Sequence, residues 1–294
     1  MKATIECAGA VKRYPDFTLG PLSLKVEQGT VCGLVGSNGA GKTTLIKLLL
    51  GLARPDAGHI SLFGEEISDP ENLGADIKSR IGVVLDTCSF TQASRVADVA
   101  QLGRASYRNW DKHLFAELAD EFDLSPQKPV EKLSRGMGMK LSIAFALAHH
   151  PELLILDEAT AGLDPMARDE LLEILRDFML DENHTILMST HITSDLEKIA
   201  DKVVCIDDGK IIFMEQKEAI SDEAGVAHVR TAQLEEFLAS SLFGGIIPSF
   251  TSRPYGADVL VPDRFAFAKA YPDVAIDPIS IEEYMSLILK GDAR

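Results

Sequence analysis

The chain has 294 residues, 46% of them apolar, with 45 acidic against 29 basic side chains and a formal net charge of −16. That length holds one large domain plus a smaller appendage, with enough apolar residues to build a core without disulfides or metal. Such an acidic surface repels nucleic-acid phosphates and anionic lipid headgroups alike, so no nucleic-acid partner is expected, while docking onto another protein stays open.

In chain order, short β-rich runs at residues 4–8, 22–26 and 31–35 open the chain. The third is continuous and apolar, as expected of a strand buried on both faces. It feeds a glycine-rich turn and then residues 43–52, with leucines at helical spacing. Further strands are predicted at 60–63, 81–85, 153–156, 185–188, 203–206 and 210–213. Helical patterns occupy 96–107, 110–122, 137–148, 166–180 and 194–200 between them. Strands alternating with helices indicate an α/β domain over residues 1–217 with a largely parallel core sheet. Residues 88–132 read as all helix, the start of an inserted helical subdomain at about 88–145. Residues 218–294 read as a small α+β appendage. It has helices at 231–241, 263–270 and 280–289, a turn at 244–248 and a strand at 258–261.

Four cysteines, Cys7, Cys32, Cys88 and Cys205, show no CxxC spacing and read as reduced, packed thiols. No signal-peptide pattern opens the chain, and no apolar stretch approaches the roughly 20 residues of a membrane span. The expectation is a soluble, cytosolic protein.

Gly36-Ser37-Asn38-Gly39-Ala40-Gly41-Lys42-Thr43 fits GxxxxGK[ST] and lies after a buried strand and before a helix, the context this phosphate-binding loop requires. Glycines let the backbone turn tightly, so that successive amides face phosphate oxygens, and the helix dipole adds positive potential. Lys42 reaches the β- and γ-phosphates, the Thr43 hydroxyl ligates magnesium, and Thr44 offers a hydroxyl to the α-phosphate. Downstream, residues 153–158 form a buried apolar strand ending in Asp157 and Glu158. Adjacent strand residues face opposite ways, so the two acids take different tasks. Asp157 suits holding magnesium, and Glu158 suits polarising an attacking water beside the γ-phosphate. ATP and Mg2+ are the expected ligands, and ATP hydrolysis is the expected reaction.

Residues 1–217 resemble the nucleotide-binding subunits of ATP-binding-cassette (ABC) transporters. The most specific element is Leu133-Ser134-Arg135-Gly136-Met137, similar to the LSGGQ signature and placed before a helix. Ala161-Gly162-Leu163-Asp164 resembles the D-loop, His191 the switch histidine, and Tyr14 the aromatic residue that stacks on adenine. The resemblance implies a P-loop NTPase fold with an ABC-type core sheet, in which Ser134 and Gly136 bind the γ-phosphate of ATP held by another subunit. Two chains, identical or related, would then clamp two nucleotides head to tail. Two departures stand out. Asp86 replaces the usual glutamine after the strand 81–85, and can hold magnesium or its water but cannot donate when ionised. Arg135 and Met137 replace a glycine and the glutamine of the signature, and the Arg135 guanidinium contacts phosphate or the partner chain, or else points to solvent.

The run from Leu133 to Pro165 and the following STHITSDLEKIAD most resemble the ATPases of bacterial exporters of antibiotics and antimicrobial peptides. That branch implies an integral membrane subunit as partner and a place on the inner face of the membrane through it. The competing readings are an importer ATPase and a soluble regulatory ABC ATPase. One phosphate loop, one signature and no sustained heptads weigh against the latter.

Overall fold

Strand burial alternates where one face meets the core. β1 (Ala3–Tyr14) and β2 (Phe17–Glu27) form an antiparallel hairpin turning between Tyr14 and Phe17. β3 (Val31–Val35) is buried along its whole length and leads through the glycine loop into α1 (Lys42–Leu49). β4 (Ala57–Leu62) pairs antiparallel with β1, and β5 (Glu65–Glu66) completes a four-stranded sheet in the order β2-β1-β4-β5. The computed structural model describes residues 2–67, 73–245 and 248–291.

After α2 (Ala75–Ser79) come β6 (Ile81–Val84) and the helical insertion: α3 (Val96–Ser106), α4 (Lys112–Glu121) and α5 (Arg135–Leu147). Val96, Val99, Phe115, Leu118, Leu141 and Ala144 form the core of this insertion. Its helices begin at Val96 rather than at Cys88, because residues 88–95 are irregular and Asp98 accepts from the Arg95 amide to start α3. β7 (Leu153–Asp157), α6 (Pro165–Phe178), β8 (Thr185–Ser189), α7 (Thr193–Ile199), β9 (Lys202–Asp207) and β10 (Lys210–Gln216) follow.

The second sheet has six strands in the order β10-β9-β3-β8-β7-β6, and its pairs β3/β8, β8/β7 and β7/β6 are parallel. β7 and β8 are buried at every position, as strands covered on both faces must be. Leu45, Leu48 and Leu49 of α1 share one core with Leu34, Ile155 and Leu187 of this sheet and with Leu22, Leu24 and Ile60 of the antiparallel one. Parallel pairing brings the carboxyl ends of β3, β7 and β8 to one edge, which is where α/β sheets carry their ligands.

The chain divides into two compact units, Met1–Ile192 with Val204–Ile211, and Thr193–Val203 with Ile212–Arg294. The sequence-based boundary after Lys217 differs because α7 belongs with the C-terminal residues. Here α10 (Ile281–Lys290) packs on α7, and the Ile281 amide donates to Glu197 Oε1 at 3.1 Å. The rest of this unit is a four-stranded antiparallel sheet built from β11 (Gly225–Arg230), β12 (Phe250–Arg253), β13 (Gly256–Val261) and β14 (Ala275–Pro278). Its order is β12-β13-β11-β14, and α8 (Thr231–Leu238) and α9 (Arg264–Ala270) accompany it. Phe237, Phe243, Phe250, Phe267, Val259 and Val261 fill its core. Sequence reading found one of these four strands, at 258–261. Part of the turn expected at 244–248 lies outside the described residues. Among the described residues no helix is long and apolar enough to cross a membrane.

On this sheet His228 bridges two strands, with Nδ1 2.8 Å from Asp258 of β13 and Nε2 3.2 Å from Asp277 of β14. The hydrogen bond to Asp258 chiefly, and the one to Asp277, raise the imidazole above its ordinary value of 6.5, against partial burial. A raised folded-state pKa stabilises fully below the unfolded value and is lost as pH rises through the folded one. Asp277→Asn is therefore expected to lower the His228 midpoint in an NMR pH titration. It should also flatten the decline in thermal stability of this unit above pH 6.5, and an unmoved midpoint would refute the bridge.

Candidate active site

The loop between β3 and α1 takes its shape from backbone positions closed to other residues. Gly36 has φ 149°, and a Cβ there would lie 2.0 Å from the Ile206 carbonyl oxygen. Gly41, the N-cap of α1, has φ 114°, and the side chains of Phe17 and Leu19 pack directly over it. Lys42 is buried and folds back into the loop, where Nζ donates to the carbonyls of Gly36 at 2.8 Å and Ser37 at 3.2 Å. Ser37, Asn38 and Gly39 are exposed, Ala40 is buried, and Thr44 is half-buried in the first turn of α1. The first-turn amides of α1 have no partners within the helix, which suits this helix start to an anion.

Strand ends supply the acids. Asp157 closes β7 in register with Ser189, the last residue of β8. Its Oδ1 accepts from Ser189 Oγ at 2.5 Å and its Oδ2 accepts from Thr43 Oγ1 at 3.0 Å. Glu158 lies beyond the strand with φ 53°, so a left-handed turn, not strand pleating, separates it from Asp157. The Glu158 amide donates to the Ser189 carbonyl at 3.0 Å. Its Oε1 stands 3.9 Å from Lys42 Nζ, and its Oε2 stands 2.6 Å from His191 Nδ1 while accepting from the His191 amide at 3.3 Å. The His191 side chain is 56% exposed against 19% for Glu158, so the imidazole is the more accessible of the pair to an arriving ligand.

Thr43 Oγ1 and Asp157 Oδ2 are hard oxygen donors side by side, which fits magnesium, an ion that takes one or two protein oxygens and completes its shell with water and phosphate. Among the described residues no group of three or more His, Cys, Asp or Glu could hold a metal. Asp86 is exposed just past β6, and no hydrogen bond or ion pair joins it to Thr43 or Asp157.

The signature residues form a second cluster. Ser134 caps α5 and accepts from the Met137 amide at 3.2 Å. Arg135, whose direction the sequence leaves open, lies along the Gly162 backbone: a Cβ on Gly162 would be 2.9 Å from its Cζ. A Cβ on Gly136 would be 3.5 Å from Leu163 Cδ2, and Met137 Sδ takes a contact from Lys128 Nζ at 3.2 Å. Asp164 caps α6, accepting from the Ala167 amide at 3.0 Å ahead of Pro165. Residues 134–137 and 161–164 thus pack together, while no hydrogen bond or ion pair joins 134–137 to Lys42, Thr43, Glu158 or His191. Tyr14, at the β1/β2 turn, is 42% exposed with Lys12 Nζ 5.8 Å from its ring centre.

Sequence reasoning passed over Ser189, which orients Asp157, and Thr190. The Thr190 amide donates to the Leu34 carbonyl at 3.2 Å, and its Oγ1 accepts from the Ile192 amide at 3.0 Å, shaping the turn that carries His191. Hydroxyls ending a buried strand opposite an aspartate were the available signal.

A glycine loop between buried strand and helix, its threonine bonded to a strand-end aspartate, defines a P-loop nucleoside triphosphatase. The chain belongs to the ABC transporter family, whose model matches residues 19–161. It is 37% identical to the bacitracin transport ATP-binding protein of Bacillus licheniformis, over 72% of this chain and 69% of that one. It is 36% identical to Nod factor export ATP-binding protein I of Burkholderia thailandensis, over 81% of each. A solved ATP-binding subunit of an ABC transporter superposes with a TM-score of 0.67 at 26% identity, over 74% of this chain and 91% of that one. The chain is accordingly an ATP-binding subunit, and its reaction is ATP hydrolysis.

Gly36→Ala tests the loop. Forcing a methyl against the Ile206 carbonyl at φ 149° is expected to cost about 1–3 kcal/mol and to abolish ATP binding. Calorimetric melting and binding of a fluorescent ATP analogue check it, and unchanged binding would contradict the loop geometry.

Proposed function

We infer that the chain drives export through a separate integral membrane subunit, by ATP-dependent closure of a head-to-tail pair of ATPase subunits. One observation carries the catalytic half of this reading: Lys42, Thr43, Asp157, Glu158 and His191 converge at the carboxyl ends of β3, β7 and β8. Lys42 and the loop amides hold the β- and γ-phosphates. Thr43 and Asp157 would hold magnesium, directly or through water, and the ion supplies charge neutralisation when bound. Glu158 takes the proton of the attacking water as the water oxygen bonds to the γ-phosphorus and the bridging oxygen leaves with ADP. His191, hydrogen-bonded to Glu158, turns its accessible edge to the γ-phosphate, and Tyr14 offers its ring to adenine. Ser134, Arg135, Gly136 and Met137 meet the nucleotide of the opposite subunit, with Asp164 beside them.

Support for export comes from the relatives, one named for bacitracin transport and one for Nod factor export. The place for the membrane subunit is a cleft of about 250 Å³ lined by Leu85, Phe90, Tyr107, Phe145 and His149, next to Asp86. Its walls mix aromatic and apolar side chains with Ser89, Ser142 and His149, and its size suits one or two side chains of the membrane partner. Through that partner the chain is held at the inner face of the membrane.

Glu158→Gln keeps the shape of the side chain and removes its basicity. Steady-state ATP hydrolysis is expected to fall by about 100-fold or more, with ATP binding retained and ATP-dependent dimers accumulating on size-exclusion chromatography. Unchanged hydrolysis would remove Glu158 from the role of base. Recovery of the chain from membranes with an integral membrane protein tests the transport half, and its absence would favour the soluble regulatory reading.

A further inference from the structure

The end of β9 and the turn after it grip the phosphate loop at three points. Ser37 Oγ donates to Asp207 Oδ1 at 2.8 Å. The Gly209 amide donates to the Ala40 carbonyl at 3.0 Å, and the Ile206 carbonyl occupies the space beside Gly36 where a side chain would go. The same turn is fixed from its other side. The Gly20 amide donates to the Gly209 carbonyl at 2.7 Å, and Gly209, at φ 74°, lies against the Thr18 carbonyl. Asp207 therefore stands on a braced platform rather than on a free loop.

Ser37 transmits this grip. Its carbonyl accepts from Lys42 Nζ at 3.2 Å and from the Ala40 amide at 3.1 Å, so displacing Ser37 displaces an acceptor that aims the Lys42 ammonium. We propose that Asp207 is a positioning residue for ATP binding: its carboxylate fixes Ser37, and through the Ser37 carbonyl it sets where Lys42 points. An ionised carboxylate only accepts, so the single hydroxyl proton of Ser37 is committed to Asp207 and the side-chain rotor is locked. The bond is charge-assisted but exposed, which makes its effect moderate rather than large. The same negative charge beside the loop repels the triphosphate of ATP. Bond and charge act on affinity with opposite signs, and different substitutions separate them.

The full-length chain is tested with Mg·ATP, by steady-state kinetics and by equilibrium binding of a fluorescent ATP analogue. Asp207→Ala and Ser37→Ala are each expected to raise the KM for ATP by about 3- to 10-fold, with kcat within about twofold of the parent. The double variant is expected to be no worse than either single one, because both remove one bond. Asp207→Asn keeps an acceptor oxygen and loses the charge, so its KM should return to the parent value or below. Additive single effects, or an Asp207→Ala variant that binds ATP as tightly as Asp207→Asn, would overturn the proposal. So would a fall in kcat at unchanged KM. Should Asp207→Ala not fold, Ser37→Ala on the exposed loop against Asp207→Asn decides alone. Loss of ATP binding by the parent chain would instead defeat the assignment of the loop itself.

Discussion

The line of hydrogen bonds from Thr43 through Asp157 to Ser189 is the constraint on which the active site depends. It joins the first turn of α1, the end of β7 and the end of β8, segments far apart in sequence. Asp157 is buried, and a buried carboxylate needs hydrogen-bond partners on both oxygens to be tolerated. Thr43 satisfies one oxygen and Ser189 the other. The register Asp157↔Ser189 is therefore fixed by polar chemistry as well as by apolar packing along β7 and β8. A one-residue slip would bury the carboxylate among leucines.

From that register the catalytic geometry follows. With β8 in place, the Ser189 carbonyl receives the Glu158 amide, and Glu158 turns out of the strand with positive φ. Thr190 then binds back to Leu34 of β3 and presents His191 within 2.6 Å of Glu158. A non-glycine residue in the left-handed region costs about 1 kcal/mol or more, and such outliers persist where the surroundings over-determine them. Here the surroundings are the Ser189 carbonyl, the Lys42 ammonium and the His191 imidazole, which all hold Glu158 at once.

Legibility in the sequence followed the range of the interactions. The loop Gly36 to Thr43 is a local object, and its glycine spacing states its backbone shape directly. Asp157 and Glu158 were readable because a buried apolar run must stop somewhere, and two carboxylates mark the stop. Contacts between distant segments were not readable: Ser37 with Asp207, Arg135 with Gly162, and Ser189 with Asp157 leave no periodic trace. In the C-terminal unit β12 and β14 were missed because each has four residues, and β11 because Gly225, His228 and Arg230 dilute its β pattern. The pairing of α10 with α7 likewise joins a late helix to an early one, and it moves the unit boundary away from where composition changes.

A chain of net charge −16 that binds a polyanion must do so by local fields. At physiological salt the screening length is about 8 Å, so most of the surface acids are hidden from a phosphate in the loop while the nearest groups are not. Those nearest groups are the Lys42 ammonium and the first-turn amides of α1, opposed by Asp157, Glu158 and Asp207. Asp157 is tied to hydroxyls and Glu158 is shared with His191, so part of each negative charge is already engaged. The signature cluster repeats the pattern in small: Ser134 accepts from an amide and keeps its hydroxyl proton to give, and Arg135 adds a guanidinium at the same helix end. On the proposed reading each cluster offers donors to a phosphate, and no hydrogen bond or ion pair joins residues 134–137 to Lys42, Thr43, Glu158 or His191. Under the proposed head-to-tail pairing an ATP molecule supplies the missing link, its phosphates binding one subunit's loop and the other's helix end. On that reading the acidic remainder of both surfaces would oppose association until the ligand is present, so that closure would depend on ATP.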